Sequence, residues 1–155
     1  MERSYSKDSS TAQQVLKTLI QADAKTVFHY LATTEGISNW FPQLSIDEED
    51  DEKLVLFDMG DGTFEKMALL DYSTNEHISY EWTVGKVEFH LEEVEEGTQL
   101  TLTETLPLDF PALPQDFTGW FVQIKNVKSV AETGKSATID KEKIQTIRQE
   151  IEAAF

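Results

Sequence analysis

The pattern that most restricts this chain is a series of short segments of alternating apolar and polar residues between positions 44 and 106, followed by one long amphipathic helical stretch. In residues 77–83 the apolar side chains Ile78, Tyr80 and Trp82 share one face. In residues 99–106 Leu100, Leu102 and Leu106 lie opposite Thr101, Thr103 and Thr105. A period of two places alternate side chains on opposite faces and marks strands with one side buried. Residues 87–94 alternate in the same way, with Val87, Phe89 and Leu91 on one face and His90 on the other, until the pattern slips near its end. Further strands are predicted over 44–46, 53–57 and 64–72. Turn residues separate the segments: Asp58-Met59-Gly60-Asp61-Gly62, residues 73–76, Gly85-Lys86 and Glu95-Glu96-Gly97. Short connections between successive strands imply an antiparallel meander.

Helical patterns flank the meander. Asp23 can cap a helix from residue 24 to about 32, with Val27, Tyr30 and Leu31 on its buried stripe and Phe28 beside it. A second short helix starts at Thr33 or Thr34, runs through Ile37 and Trp40, and must stop before Pro42. After prolines 107, 111 and 114, Asp116 opens the longest helix. Its stripe is Phe117, Trp120, Phe121, Ile124, Val127 and Ala131, and Gly134 can end it. Residues 1–14 are polar and read as a flexible N-terminal arm, followed by a strand over 15–20. Residues 140–155, with Asp140 as cap and Ile144, Ile147 and Ile151 on one face, read as an appended helix. The expected organisation is an arm over 1–14, one domain over 15–134 and an appended helical segment over 135–155. The expected fold class is α+β: a curved antiparallel sheet wrapped around a long C-terminal helix, with an additional terminal helix.

The chain has 155 residues, enough for one domain with a real core, and no cysteine. Disulfides and thiolate metal sites are excluded, which points to a reducing, cytoplasmic compartment. Met1 is followed by Glu2 and Arg3 with no signal-type apolar run, and no stretch is apolar enough to span a membrane. The formal charge is −16, from 29 acidic and 13 basic residues. Such a chain repels phosphate backbones, so nucleic acid is excluded as a partner; solubility or a basic protein partner remains.

One helix cannot cover a sheet of this many strands, so an apolar space between them is expected, of the size typical of ligand pockets, about 300–1,000 Å³. The side chains available to line it are Trp40, Phe57, Phe64, Tyr80, Trp82 and Phe89 from the first part of the chain, and Trp120, Phe121 and Ile124 from the long helix. Each can equally fill a core. Glu104 falls on the face of Leu100, Leu102 and Leu106 and is the one acidic candidate for that space. Buried among apolar groups, its pKa would rise, a mark of functional sites; near the sheet end it would simply reach water.

The run Ala22-Asp23-Ala24-Lys25-Thr26-Val27-Phe28-His29-Tyr30-Leu31, with Thr34-Glu35-Gly36-Ile37-Ser38-Asn39-Trp40-Phe41-Pro42, resembles the opening of the START-like (SRPBCC) helix-grip superfamily. That superfamily includes birch-pollen-type allergens, polyketide cyclases and lipid-transfer domains. Trp40-Phe41 and Gly119-Trp120 are similar to motifs of the branch of homologues of the activator of the heat-shock-protein-90 ATPase. Gly60-Asp61-Gly62 stands near where that branch often has a Gly-Gly turn. The resemblance covers roughly residues 12–134. It implies a helix-grip fold with a cavity for a small hydrophobic ligand, lipid-like or aromatic, and by its name a protein-interaction or chaperone-cofactor role.

No catalytic set is complete. His29, His77 and His90 are too scattered to read as a metal motif, and no HExxH is present. The acidic run 47–52 reads as a charged hairpin loop, and 58–63 lacks the glutamate and spacing of a calcium loop. Glu81 reads as solvated. A binding role is therefore expected ahead of an enzymatic one, with no cofactor; a cyclase- or hydrolase-like activity would rest on Glu104 alone. The chain is expected to be a monomer or a homodimer, the latter if the apolar face of the terminal helix finds no surface within its own chain.

Overall fold

The inward row of the second strand explains how the sheet closes. In the computed structural model, which describes residues 1–155, Ala12, Gln14, Leu16, Thr18 and Ile20 are all buried, while the residues between them are exposed or half-buried. This strand, β2 (Thr11–Ile20), follows β1 (Glu2–Lys7). Then come α1 (Ala24–Ala32), α2 (Thr34–Ile37), β3 (Leu44–Glu49), β4 (Glu52–Asp58), β5 (Phe64–Ser73), β6 (His77–Trp82), β7 (Gly85–Val94), β8 (Gly97–Pro107), α3 (Leu113–Thr133) and α4 (Lys141–Ala154). The strands form one antiparallel sheet in the order β1-β2-β8-β7-β6-β5-β4-β3. The meander β3–β8 is the predicted one. β2 joins it at β8, in register from Thr11↔Pro107 to Ile20↔Thr98. The curved sheet closes on α3, which lies against β2, β8 and α1, and α4 packs on α3. This is the expected α+β arrangement.

Several local expectations are corrected. Residues 1–14 are not a loose arm: β1 pairs with β2 from Glu2↔Lys17 to Lys7↔Ala12. Between these strands Asp8 Oδ1 accepts from the backbone N–H of Ser10 and Thr11 at 2.8 and 2.7 Å. The polar residues Gln14 and Thr18 occupy inward positions of β2, so the apolar alternation is broken and the strand reads as polar chain. β3 and β4 extend into the acidic run, leaving only Asp50 and Asp51 for the turn, both at positive φ. The β6–β7 turn is Thr83-Val84, and Gly85 is the first residue of β7. Gly85 serves close approach instead: a Cβ there would lie 2.0 Å from the carbonyl oxygen of Thr105 on β8. Helix α2 ends at Ile37, and Trp40 follows in a turn with its Nε1 donating to the Tyr30 carbonyl at 2.7 Å. Helix α3 starts at Leu113 rather than Asp116, with Pro114 in its first turn, where a missing N–H costs no helical bond.

α4 does find a surface in its own chain. Ile147 and Ile151 are buried and belong to the same core cluster as the sheet. Phe155 sits edge-on to Tyr5 and Phe117, with ring centroids 6.2 and 5.7 Å away, and Arg3 of β1 pairs with Glu150. No helix is long and apolar enough to cross a membrane. Because α4 shares the core, Ile147→Ala should destabilise the whole chain by about 2–5 kcal/mol. In urea unfolding the sheet and helix signals should shift together in one transition; a separate early loss of helix signal would make α4 an independent segment.

Candidate functional site

The site is organised around Trp120, which α3 turns toward the sheet. Its ring meets Trp82 of β6 edge-on at 5.0 Å and Phe89 of β7 at 5.7 Å. It also tilts against Phe41 at 6.0 Å and Trp40 at 6.3 Å, so α3, the sheet and the corner after α2 meet on one indole. Edge-to-face contacts of this kind add about 0.5–1.5 kcal/mol per pair beyond the area they bury. On either side of Trp120 along α3, Phe117, Phe121 and Ile124 are fully buried. The space between sheet and helix is thus filled there by side chains.

It opens at the N-terminal half of α3. A cleft of about 240 Å³ is walled by Phe41, Trp82, Asp116, Gly119 and Trp120, with Gln115 and Gln123 at its rim. Gly119 is exposed, and a Cβ built on it would meet nothing within 4 Å. It has neither a positive φ nor a close neighbour to explain a glycine inside a helix. A helix-interior glycine costs roughly 1 kcal/mol relative to alanine.

Behind the cleft lies a linked set of polar groups. Trp82 Nε1 donates to both carboxylate oxygens of Asp116, at 3.2 and 3.0 Å. Gln14 Nε2 donates to Glu104 Oε1 at 3.2 Å and to the Phe117 carbonyl at 3.1 Å. Glu104 is completely buried, and its Oε2 has no donor to accept from. The carboxyl lies within hydrogen-bonding reach of Asp116. Burial first, then the hydrogen bond to Asp116 and its charge, raise the Glu104 pKa well above the ordinary carboxylate range, against a smaller opposing pull from Gln14. The Glu104 carboxyl is thus biased toward its neutral form. Asp116 lies in the first turn of α3, where the helix dipole favours negative charge. Burial likewise pushes the Tyr80 phenol upward, so it stays neutral beneath them.

Of the residues nominated from sequence, Trp82 and Trp120 line the cleft. Trp40, Tyr80, Phe89, Phe121 and Ile124 are buried in the packed core, and half-buried Phe57 lies edge-on to Phe41 and Trp82, 6.0 Å from each. Phe64 is corrected: it is 54% exposed. Met67 points inward on β5, so Phe64, three residues earlier on a two-residue period, points out. Glu104 faces inward and does not reach water. Asp116 and Gln14 were missed as site residues. The detectable signal for Gln14 was its parity with Leu16 and Ile20; none existed for Asp116 beyond its place in the first helical turn. His77 and His90, distant in sequence, are cross-strand partners with rings 5.6 Å apart, and His77 Nδ1 lies 2.6 Å from Asp71 Oδ2. No group of three or more His, Cys, Asp or Glu side chains is placed to hold a metal.

The raised Glu104 pKa has a definite sign in stability. The folded chain holds a proton that the unfolded chain releases near the ordinary value of 4.5. Its contribution is complete below that value and falls as pH rises toward the folded pKa, by up to about 1.4 kcal/mol per pH unit. Glu104→Gln keeps a donor toward Asp116 without a titrating proton. Urea unfolding at pH 5 and pH 8 should show wild type losing more stability than this variant over the interval; parallel losses would place the charge elsewhere.

The sequence matches the family described as "Activator of Hsp90 ATPase homolog 1-like protein" over residues 21–141. No curated protein sequence matches. Among solved structures, a conserved protein of unknown function from Enterococcus faecalis is similar with a TM-score of 0.87 and 26% identity, over 99% of this chain and 92% of that one. CalU16 from Micromonospora echinospora is similar with a TM-score of 0.70 and 16% identity, over 96% of this chain and 91% of that one. The Aha1 dimer from Colwellia psychrerythraea gives 0.65 and 18%, over 80% of this chain and 98% of that one. These last two likenesses concern the fold alone. The matched span takes in the meander, α3 and every residue that lines the cleft. The chain belongs to the Activator of Hsp90 ATPase homolog 1-like family, on a START-like helix-grip fold.

Proposed function

We propose that this protein reversibly binds a small ligand with an apolar or aromatic body in the cleft over Trp82 and Trp120. The observation that carries this reading is Gly119. It lowers the stability of α3, nothing in the packing requires it, and its missing side chain is what leaves the cleft wall open. A cleft of about 240 Å³ lies below the usual range for drug-sized ligands, about 300–1,000 Å³, so the occupant is smaller than a long-chain lipid. The absence of cysteine supports a cytoplasmic setting for this role.

Gly119→Leu tests the reading without endangering the fold. A leucine there meets open space and improves helix propensity, so thermal stability should hold or rise, by up to about 1 kcal/mol. Ligands from a panel of small aromatic compounds that quench wild-type tryptophan fluorescence saturably should lose that effect in the variant. Equal binding by both proteins would place the ligand outside this cleft.

A further inference from the structure

The chemistry of the cleft wall narrows what it accepts. Asp116 is the only charged side chain that lines it; no lysine, arginine or histidine does. Asp116 is half-buried, and the two oxygens that accept from Trp82 Nε1 keep further lone pairs free, since a carboxylate offers about four acceptor sites. Glu104 lies fully buried behind the cleft, so Asp116 is the carboxyl group that reaches it. Phe41, Trp82 and Trp120 enclose it, mutually inclined at 51° to 74°. Gln115 and Gln123 add amide carbonyls at the rim.

The chain's basic residues gather elsewhere. Arg3 and Lys125 flank the ring of Phe121 at 6.0 and 5.8 Å, at the junction of β1, α3 and α4. Lys125 feels the charges of Lys143, Lys128 and Arg3 there. The cleft itself is lined by one acidic side chain and three aromatic ones, with glutamines and a glycine, on a chain of formal charge −16.

An anionic ligand would meet repulsion from Asp116 and from the whole chain. A neutral ligand would cover a half-buried carboxylate without supplying a counter-charge, which costs desolvation energy. A monovalent organic cation satisfies both demands, since its charge pairs with the carboxylate and is attracted to aromatic faces.

We infer that the cleft of Phe41, Trp82, Asp116 and Trp120 takes a small organic ammonium ion, its N–H groups donating to the Asp116 carboxylate and its carbon body resting on the two indoles. This rests on the cleft being the ligand site, as proposed above.

Three probes of matched shape separate the two claims: phenethylammonium, phenethyl alcohol and phenylacetate, titrated calorimetrically and by tryptophan fluorescence. Phenethylammonium should bind wild type at least about tenfold more tightly than the alcohol, and phenylacetate least of all. Raising the salt concentration should weaken the ammonium but not the alcohol. Asp116→Asn keeps an acceptor for Trp82 Nε1 and should bring ammonium and alcohol to within about twofold. Gly119→Leu should abolish both. If the alcohol binds wild type as tightly as the ammonium, and Gly119→Leu removes both, the cleft stands and the cation inference is overturned. If the ammonium binds equally well to Asp116→Asn, or shows no binding at millimolar concentration, the cation inference is likewise overturned. Binding of any probe that survives Gly119→Leu unchanged overturns the cleft reading itself.

Discussion

Closure of α3 over the sheet depends on burying one indole. Trp120 touches β6, β7 and the corner after α2 through four aromatic neighbours, at ring separations of 5.0 to 6.3 Å. Fully burying a large apolar side chain stabilises by about 1.5–3 kcal/mol, and the inclined ring contacts add to that. This anchor lies at one point along α3, and what surrounds it is set by helical geometry. Asp116 is four residues earlier, so it lies above Trp120 on the same face. Gly119 is the adjacent residue, rotated toward solvent. Phe117, Phe121 and Ile124 carry the stripe on toward β2 and β8 and are sealed. One helix thus presents a closed core along most of its length and an open cleft at its first turns.

The polar set beneath the cleft depends on strand register. Gln14 and Glu104 are direct cross-strand partners in the β2–β8 pair, and Val87 on β7 lies beside Glu104 in turn. A one-residue slip of β2 along β8 would turn Gln14 away from Glu104 and bring the outward residues of β2 to the inner face. The buried amide and acid therefore help specify the pairing that joins the N-terminal hairpin to the meander. Their cost is real: a buried polar atom without a partner costs about 1–3 kcal/mol, and Gln14 Oε1 has none. For Glu104 burial raises the pKa, and a neutral acid costs less to bury than a carboxylate.

The meander was legible because most of its strands follow a two-residue period and short runs of turn-forming residues separate them. Helix α1 was legible through Asp23, whose carboxylate accepts from Thr26 N at 2.8 Å as a cap should. β1 and the start of β2 were not, because edge strands carry polar residues and because Gln14 and Thr18 interrupt the apolar row. For the site, residue identity was readable but position was not. Trp82 and Trp120 emerged from periodicity, yet so did Phe89 and Phe121, and no sequence period distinguishes a ring at a cleft wall from a ring in a core. Phe64 failed for a readable reason, its parity against Met67. Asp116 failed for an unreadable one: its importance comes from Trp82 and Glu104, which lie far away in sequence and meet it only after the sheet has closed.

The places where this chain departs from its most stable form are not scattered. Gly119 weakens a helix that alanine would strengthen, and Glu104 places an ionisable group where a leucine would continue the row of Leu100, Leu102 and Leu106. Neither departure helps α3 to pack on the sheet. Both converge on Asp116, one by leaving the space in front of it open and the other by burying a carboxyl group behind it. Consistent sequences break local rules chiefly where function requires it. Two independent departures that meet at one carboxylate, ringed by Phe41, Trp82 and Trp120, make the mouth of α3 the part of the molecule that folding alone does not explain.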